Sequence, residues 1–123
     1  MKSKSSVDRG HAAERLAARF LEQQGYRILE FNYLVKTGEI DIVAEENGVL
    51  CVVEVRSRKS RDFGDPLETV DWKKRTRLIR ATQHLLAVRG WEDRQMRFDV
   101  VGIVYQPKLE ISLVRDAFDG SGH

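Results

Sequence analysis

The sequence predicts a single α/β domain of element order αβββαββ, with a mixed central sheet flanked by helices. Three observations predict it. Segments 8–24 and 71–88 carry apolar residues at helical spacing, and five runs rich in β-branched residues lie around them. Between two of those runs sits Asn47-Gly48, the strongest short-range signal for a two-residue hairpin turn. A length of 123 residues is enough for one real core, and no repeat, low-complexity tract or linker divides it. Residues 1–7 read as a disordered tail, 8–117 as the domain and 118–123 as a frayed tail.

In the first helix Ala13, Leu16, Ala17, Phe20 and Leu21 recur at spacings of three and four, with Asp8 placed to cap it and Gly25 to end it. A strand over 26–33 follows, then a turn through Lys36-Thr37-Gly38, then hairpin strands over 39–46 and 49–57. Residues 58–70, with Gly64, Asp65 and Pro66, read as a charged loop. The second helix sets Trp72, Ile79 and Leu86 at heptad spacing beside Leu78, Thr82 and Leu85, and Gly90 ends it. Two last strands, about 96–105 and 109–115, are joined near Gln106-Pro107-Lys108.

Composition narrows the function. A hydrophobic content of 41% with 33% charged residues is that of an ordinary globular protein, and a formal charge of +2 is too small to argue nucleic-acid binding by itself. The single cysteine, Cys51, rules out a disulfide framework and a cysteine zinc cluster; inside a Val-rich strand it reads as a small core residue. His11, His84 and His123 have no metal-ligand spacing, and His11 reads as helix surface. There is no Gly-rich phosphate loop, nucleophile elbow or Ser-His-Asp order. No apolar h-region follows the first residues and no stretch approaches the ~20 apolar residues of a membrane span, so a cytoplasmic protein is expected.

The hairpin carries the chemistry. With Asn47 and Gly48 as the turn, Ala44 faces Cys51, Ile42 faces Val53, Asp41 faces Glu54 and Glu39 faces Arg56. Like charges directly opposite on a strand pair destabilise a sheet; a cation between them removes the cost. Alternation puts Ile40, Ile42, Ala44, Cys51, Val53 and Val55 on one apolar face. The other face gathers Glu39, Asp41, Glu54 and Arg56 at one end, with Val43, Leu50 and Val52 toward the turn. A half-apolar face with charge at one end suits a sheet covered by a helix that leaves a cleft. Two opposed carboxylates match what a magnesium ion asks of a protein. The competing reading is an exposed ion-pair face, each pair worth about 0–1 kcal/mol. Glu14 bears on the choice, because it lies beside Ala17, Ala18 and Leu21 at the edge of the apolar stripe, where a carboxylate reaches the sheet.

These residues resemble a known pattern. Glu14 in a helix, Gly38-Glu39-Ile40-Asp41 and Glu54-Val55-Arg56 on a hairpin, then a basic helix, resemble the PD-(D/E)xK nuclease superfamily and, within it, the YraN-like bacterial protein family. Gly10 to Glu14, Gly25-Tyr26, Asn32, Gly38 to Ala44, Val53 to Arg58, Lys73-Lys74 and Arg97 to Val101 carry the likeness, over about residues 8–105. The resemblance implies a restriction endonuclease-like fold and a relation to archaeal Holliday-junction resolvases. It implies a metal-binding role for Asp41, the acidic ExK role for Glu54 and the helix-glutamate role for Glu14. Arg56 departs from the pattern, standing where the superfamily has lysine. Arginine stabilises phosphoryl charge but is no base. Lys73 or Lys74, early in the second helix, is placed to supply the missing amine.

Basic residues cluster after this site. Arg56, Arg58, Lys59, Arg61, Lys73, Lys74, Arg75, Arg77 and Arg80 make nine cations in 25 residues, against Asp62, Asp65, Glu68 and Asp71. Such a patch beside carboxylates draws a polyanion by its phosphates; alternatively, residues 73–80 are the solvated face of an amphipathic helix. Phe63 and Trp72 are candidates to stack on bases, although Trp72 also fits the core. Asp99, in an apolar strand, reads as a hydrogen-bonded partner of Arg97 or of a backbone amide.

The expectation is thus a metal-dependent endonuclease on structured or branched DNA. Asp41 and Glu54 would hold Mg²⁺ or Mn²⁺, with Glu14 and Glu39 as further ligands or supports and Arg56 steadying developing charge. Arg58, Lys59, Arg61, Lys73, Lys74 and Arg77 would hold the nucleic acid, on a homodimer as junction-type nucleases suggest. The alternatives are a non-catalytic nucleic-acid-binding protein on the same scaffold and an adaptor whose acids form an ion-pair network.

Overall fold

Asn47 and Gly48 both take positive φ, 52° and 81°. That combination fits a tight hairpin turn whose twist matches the strands it joins. Strands Gly38–Glu46 (β2) and Val49–Ser60 (β3) leave this turn, preceded by helix Ser6–Gln23 (α1) and strand Arg27–Val35 (β1). A single 3₁₀ turn, Arg61–Phe63, helix Trp72–Arg89 (α2) and strands Met96–Gln106 (β4) and Glu110–Phe118 (β5) complete a computed structural model that describes residues 6–67 and 72–118. The five strands form one sheet in the order β1-β2-β3-β4-β5. β3 and β4 are parallel and every other neighbour pair is antiparallel. Parallel neighbours need a long crossover, and α2 is that crossover. The chain is therefore one α/β domain of order αβββαββ built on a mixed five-stranded sheet.

Each face of the sheet has its own core. Ala13, Ala17, Ala18 and Leu21 of α1 pack with Ile42, Ala44, Cys51, Val53, Val101 and Ile103. Leu78, Ala81 and Leu85 of α2 pack on the opposite face with Ile40, Val43, Leu50, Val52 and Phe98. Cys51 is fully buried, and burial pushes its thiol up to about 12, so it is a core residue and not a nucleophile. Among the described residues no helix is long and apolar enough to cross a membrane.

Several expected bounds move. α1 begins at Ser6, so of the expected tail 1–7 only residues 1–5 lie outside the described residues. Phe118 is no frayed end: it closes β5 and stacks on Phe98 with ring centroids 4.8 Å apart, and 119–123 lie outside the described residues. β3 runs to Ser60 through residues that read locally as loop, because β4 pairs with it as far as Ser60↔Gln106. The remainder of the expected loop holds the 3₁₀ turn, and its residues 68–70 lie outside the described residues. Trp72, placed by heptad spacing among core positions, is 66% exposed at the first residue of α2.

The turn end of the sheet is closed by a buried polar network. Asp99, with no exposure, accepts from Tyr26 OH at 2.7 Å, Arg97 Nε at 2.9 Å and the Asp116 amide at 2.9 Å. Arg97 also binds Glu46, which accepts from Arg115 Nε at 2.8 Å. These guanidiniums, Arg115 first, hold the Glu46 carboxyl down at about 2. Asp99 thus has both partners that the sequence offered it, and every carboxylate in the network is satisfied.

Candidate functional site

The hairpin ladder runs from Glu46↔Val49 to Ile42↔Val53, each pair as the Asn47-Gly48 turn dictates, and there it stops. Asp41 and Glu54 are not ladder partners, nor are Glu39 and Arg56, so the expected face-to-face pairing is corrected at these positions. Beyond the last pair β2 stays with β1 as far as Val35↔Gly38, while β3 stays with β4. The sheet forks. Across the fork the Val55 amide donates to Asp41 Oδ2 at 2.8 Å, a side chain standing in for the missing backbone acceptor.

A second irregularity lies beside the fork. Asn32 of β1 takes φ 52° and drops out of the ladder opposite Asp41, between the pairs Phe31↔Ile42 and Tyr33↔Ile40. Strict alternation would set Ile40 and Ile42 on one face. Ile42 instead packs under α1 and Ile40 under α2, which overturns the single apolar face expected for both. The left-handed residue at Asn32, a conformation asparagine tolerates, accompanies this change of face and leaves Asp41 free of the ladder.

Glu39, Asp41 and Glu54 line one cleft of about 690 Å³, together with Lys74, Arg77 and Arg80 of α2 and the β1–β2 turn. Asp41 is mostly buried. Desolvation first, then Glu14 and Glu39, push its carboxyl up to about 7 against the pull of the Val55 amide. Glu54 is pushed up to about 7 by desolvation and by Asp41, with Lys74 and then Arg56 opposing. Glu14 approaches from α1 and shares a hydrogen bond with Asp41; burial and Glu39 raise its pKa, and Asn32 opposes them. Its Oε1 is buried with no hydrogen-bond partner among the described residues. Glu39 is exposed at the cleft edge, and Arg56 is half-buried on β3.

A cation fits this donor set. Asp41 and Glu54 repel one another, Glu14 Oε1 lacks a partner, and every candidate donor is a hard oxygen. Among the described residues no three His, Cys, Asp or Glu side chains converge to hold an ion by themselves. Magnesium takes one or two carboxylates and fills its remaining positions with water and substrate oxygens, so two suffice.

The basic residues divide. Lys74 and Arg77 reach the cleft, and Lys73 does not line it. Arg80 and Lys36 also line it; Arg80 belongs to the basic cluster read from the sequence but not to the six residues named to hold nucleic acid, and Lys36 was missed. For Arg80 the signal was present, since 74, 77 and 80 recur every three residues along one helix edge. Arg58, half-buried, donates to the Ser57 carbonyl at 2.9 Å; Lys59 is exposed; Arg61 lies 3.6 Å from Glu110. These three continue along β3 and the 3₁₀ turn, outside the cleft lining. Phe63 is 66% exposed. His11 is on the helix surface, as expected.

The wall formed by α2 is fixed by Gly38. A Cβ there would sit 2.2 Å from the Arg77 carbonyl oxygen, so helix backbone rests directly on strand backbone three residues before Asp41.

A sequence model described as "Uncharacterised protein family UPF0102" matches residues 13–103. Among similar proteins, a UPF0102 protein of Moorella thermoacetica is 48% identical over 95 residues, covering 77% of this chain and 79% of its own length. One from Anaeromyxobacter sp. is 42% identical over 115 residues, covering 93% and 86%. One from Alkaliphilus metalliredigens is 38% identical over 109 residues, covering 89% and 96%.

Proposed function

The chain belongs to the uncharacterised protein family UPF0102, and from that premise we propose that it is a divalent-metal-dependent endonuclease of DNA, with structured or branched DNA as its substrate. One observation carries the proposal: Asp41 and Glu54, two mutually repelling carboxylates, line one cleft that faces a basic helix edge. The resemblance of Glu14, Asp41 and Glu54-Val55-Arg56 to the PD-(D/E)xK nucleases, and with it the restriction endonuclease-like placement, supports the same reading. The activity belongs in the cytoplasm, where a homodimer would offer two clefts to a branched substrate.

Asp41 and Glu54 would hold Mg²⁺ or Mn²⁺, with Glu14 and Glu39 supporting. When bound, the ion supplies Lewis-acid polarisation of the phosphate and lowers the pKa of the attacking water. The chain does the rest. The Val55 amide fixes one Asp41 oxygen, and Glu14 braces the same carboxyl from α1. Lys74, Arg77 and Arg80 draw the phosphates in. Arg56, two residues along β3 from Glu54, would pair with charge that builds on the phosphoryl oxygens. One water is consumed: its oxygen bonds to phosphorus, one ester P–O bond breaks, and the departing oxygen takes a proton to leave an alcohol beside a phosphate monoester.

The test incubates the protein with plasmid, linear and four-way-junction DNA in Mn²⁺, Mg²⁺ or EDTA. Cleavage that needs the metal and is lost in Asp41→Asn and Glu54→Gln is the expected result. Binding without cleavage, unaffected by either change, assigns the scaffold to nucleic-acid binding alone. Failure to bind metal or DNA overturns both.

A further inference from the structure

A phosphodiester is an anion, and this cleft presents it with Glu39, Asp41 and Glu54. Cations must therefore stand next to those acids. Lys36, Lys74, Arg77 and Arg80 line the cleft, and they are not equivalent. Lys74 lines the cleft with Asp41 and Glu54 and stands nearest the start of α2. Arg77 and Arg80 follow at one-turn steps along α2, and the contact of Gly38 with the Arg77 carbonyl fixes that helix edge against β2. From position 74 to 80 the helix axis advances about 9 Å. That distance matches two to three nucleotides at the ~3.4 Å rise of one strand.

We infer that Lys74 contacts the phosphate under attack, while Arg77 and Arg80 hold the phosphates that follow it along the strand. The inference rests on the endonuclease reading above and names a residue for it. An ammonium is a compact charge with three donors on a flexible stem, so it follows a phosphoryl group as its charge shifts. Lys74 takes no part in breaking bonds. The polarity of binding also follows, because the attacked phosphate lies at the N-terminal end of α2 and the chain runs toward Arg80.

The experiment compares Lys74→Gln, Lys74→Arg and Arg80→Gln with Lys108→Gln, a change in the β4–β5 turn, outside the cleft lining. It measures cleavage in Mn²⁺, and the salt dependence of binding to a short duplex in EDTA. Lys74→Gln is expected to lower kcat about 100-fold, as loss of one donor to transition-state charge does. Lys74→Arg recovers most of that loss. Arg80→Gln raises KM and leaves kcat within about threefold. Both Gln variants lower the salt slope by about one relative to Lys108→Gln, the mark of one lost phosphate contact.

A Lys74→Gln variant that matches Lys108→Gln in rate and slope overturns the inference, as does one that changes KM alone. If the wild-type chain cleaves nothing but Lys74→Gln still lowers the slope, the phosphate contact stands and the nuclease reading falls. A chain that neither cleaves nor binds DNA refutes both.

Discussion

Asp41→Asn removes one charge from the cleft and almost nothing else. The amide oxygen still accepts the Val55 N–H, now bound at 2.8 Å, and the amide nitrogen gives Glu14 a donor. In the wild-type chain the ionised carboxylate is costly, since burial first, then Glu14 and Glu39, push its pKa up to about 7 from an ordinary 3.8. At 1.36 kcal/mol per pH unit, ionising it at pH 8 costs the folded state about 4 kcal/mol. Water and counter-ions reach the open cleft, and their screening reduces this to ~2 kcal/mol. The folded chain holds a proton that the unfolded chain has already released, so stability falls as pH rises from about 4 to about 7. At pH 8, without divalent metal, Asp41→Asn should therefore be more stable by ~2 kcal/mol, a Tm gain of about 8 °C at this size. At pH 5 only about one of those three pH units has been crossed, so the gain should shrink to ~0.8 kcal/mol. Thermal unfolding followed by circular dichroism at the two pH values measures both. An equal gain at both pH values, or a loss at pH 8, refutes the account of this site.

Three further outcomes follow from the same geometry. Millimolar Mg²⁺ or Mn²⁺ should raise the Tm of the wild-type chain at pH 8 by several degrees and leave Asp41→Asn and Glu54→Gln unmoved, since a cation relieves the repulsion those variants have lost; differential scanning fluorimetry reads it. Gly38→Ala should cost about 3 kcal/mol in urea unfolding and weaken DNA binding, because its Cβ would lie 2.2 Å from the Arg77 carbonyl oxygen and one backbone must move. Asp99→Ala should cost about 3–5 kcal/mol, measured the same way, because it takes the acceptor from the Tyr26 hydroxyl and the Asp116 amide and removes one of the two carboxylates that Arg97 binds.

The hairpin was legible because its determinants are local. Asn47-Gly48 sets the turn, β-branched residues set the strands, and the register holds to the last pair, Ile42↔Val53. Past that pair, alternation misleads, because Asn32 on the neighbouring strand takes a left-handed conformation and Ile40 changes face. An asparagine inside a β-rich run was the available sign. The last residues of β3 were hidden because Arg58-Lys59-Ser60 has no strand propensity of its own and depends on a parallel partner about 46 residues on. Trp72 was misplaced because heptad spacing gives a period and not a starting point; the buried stripe is Leu78, Ala81, Thr82 and Leu85. That Asp41 and Glu54 share a cleft could be read from acids set into two neighbouring apolar strands. Which cations join them could not, since the phase of α2 depends on its backbone contact at Gly38.

The Asp41 carboxylate bridging to Val55 makes this residue a spacer as well as a candidate ligand. Its side chain occupies the gap that one more pair of strand hydrogen bonds would close. Without an acceptor there, as in Asp41→Ala, the two strands are at liberty to zip past Ile42↔Val53 and draw Glu54 toward the ladder. Alanine at 41 therefore removes two things together, a charge and a width. Asparagine keeps the width and removes only the charge, and the difference between the two variants measures what the opening itself contributes.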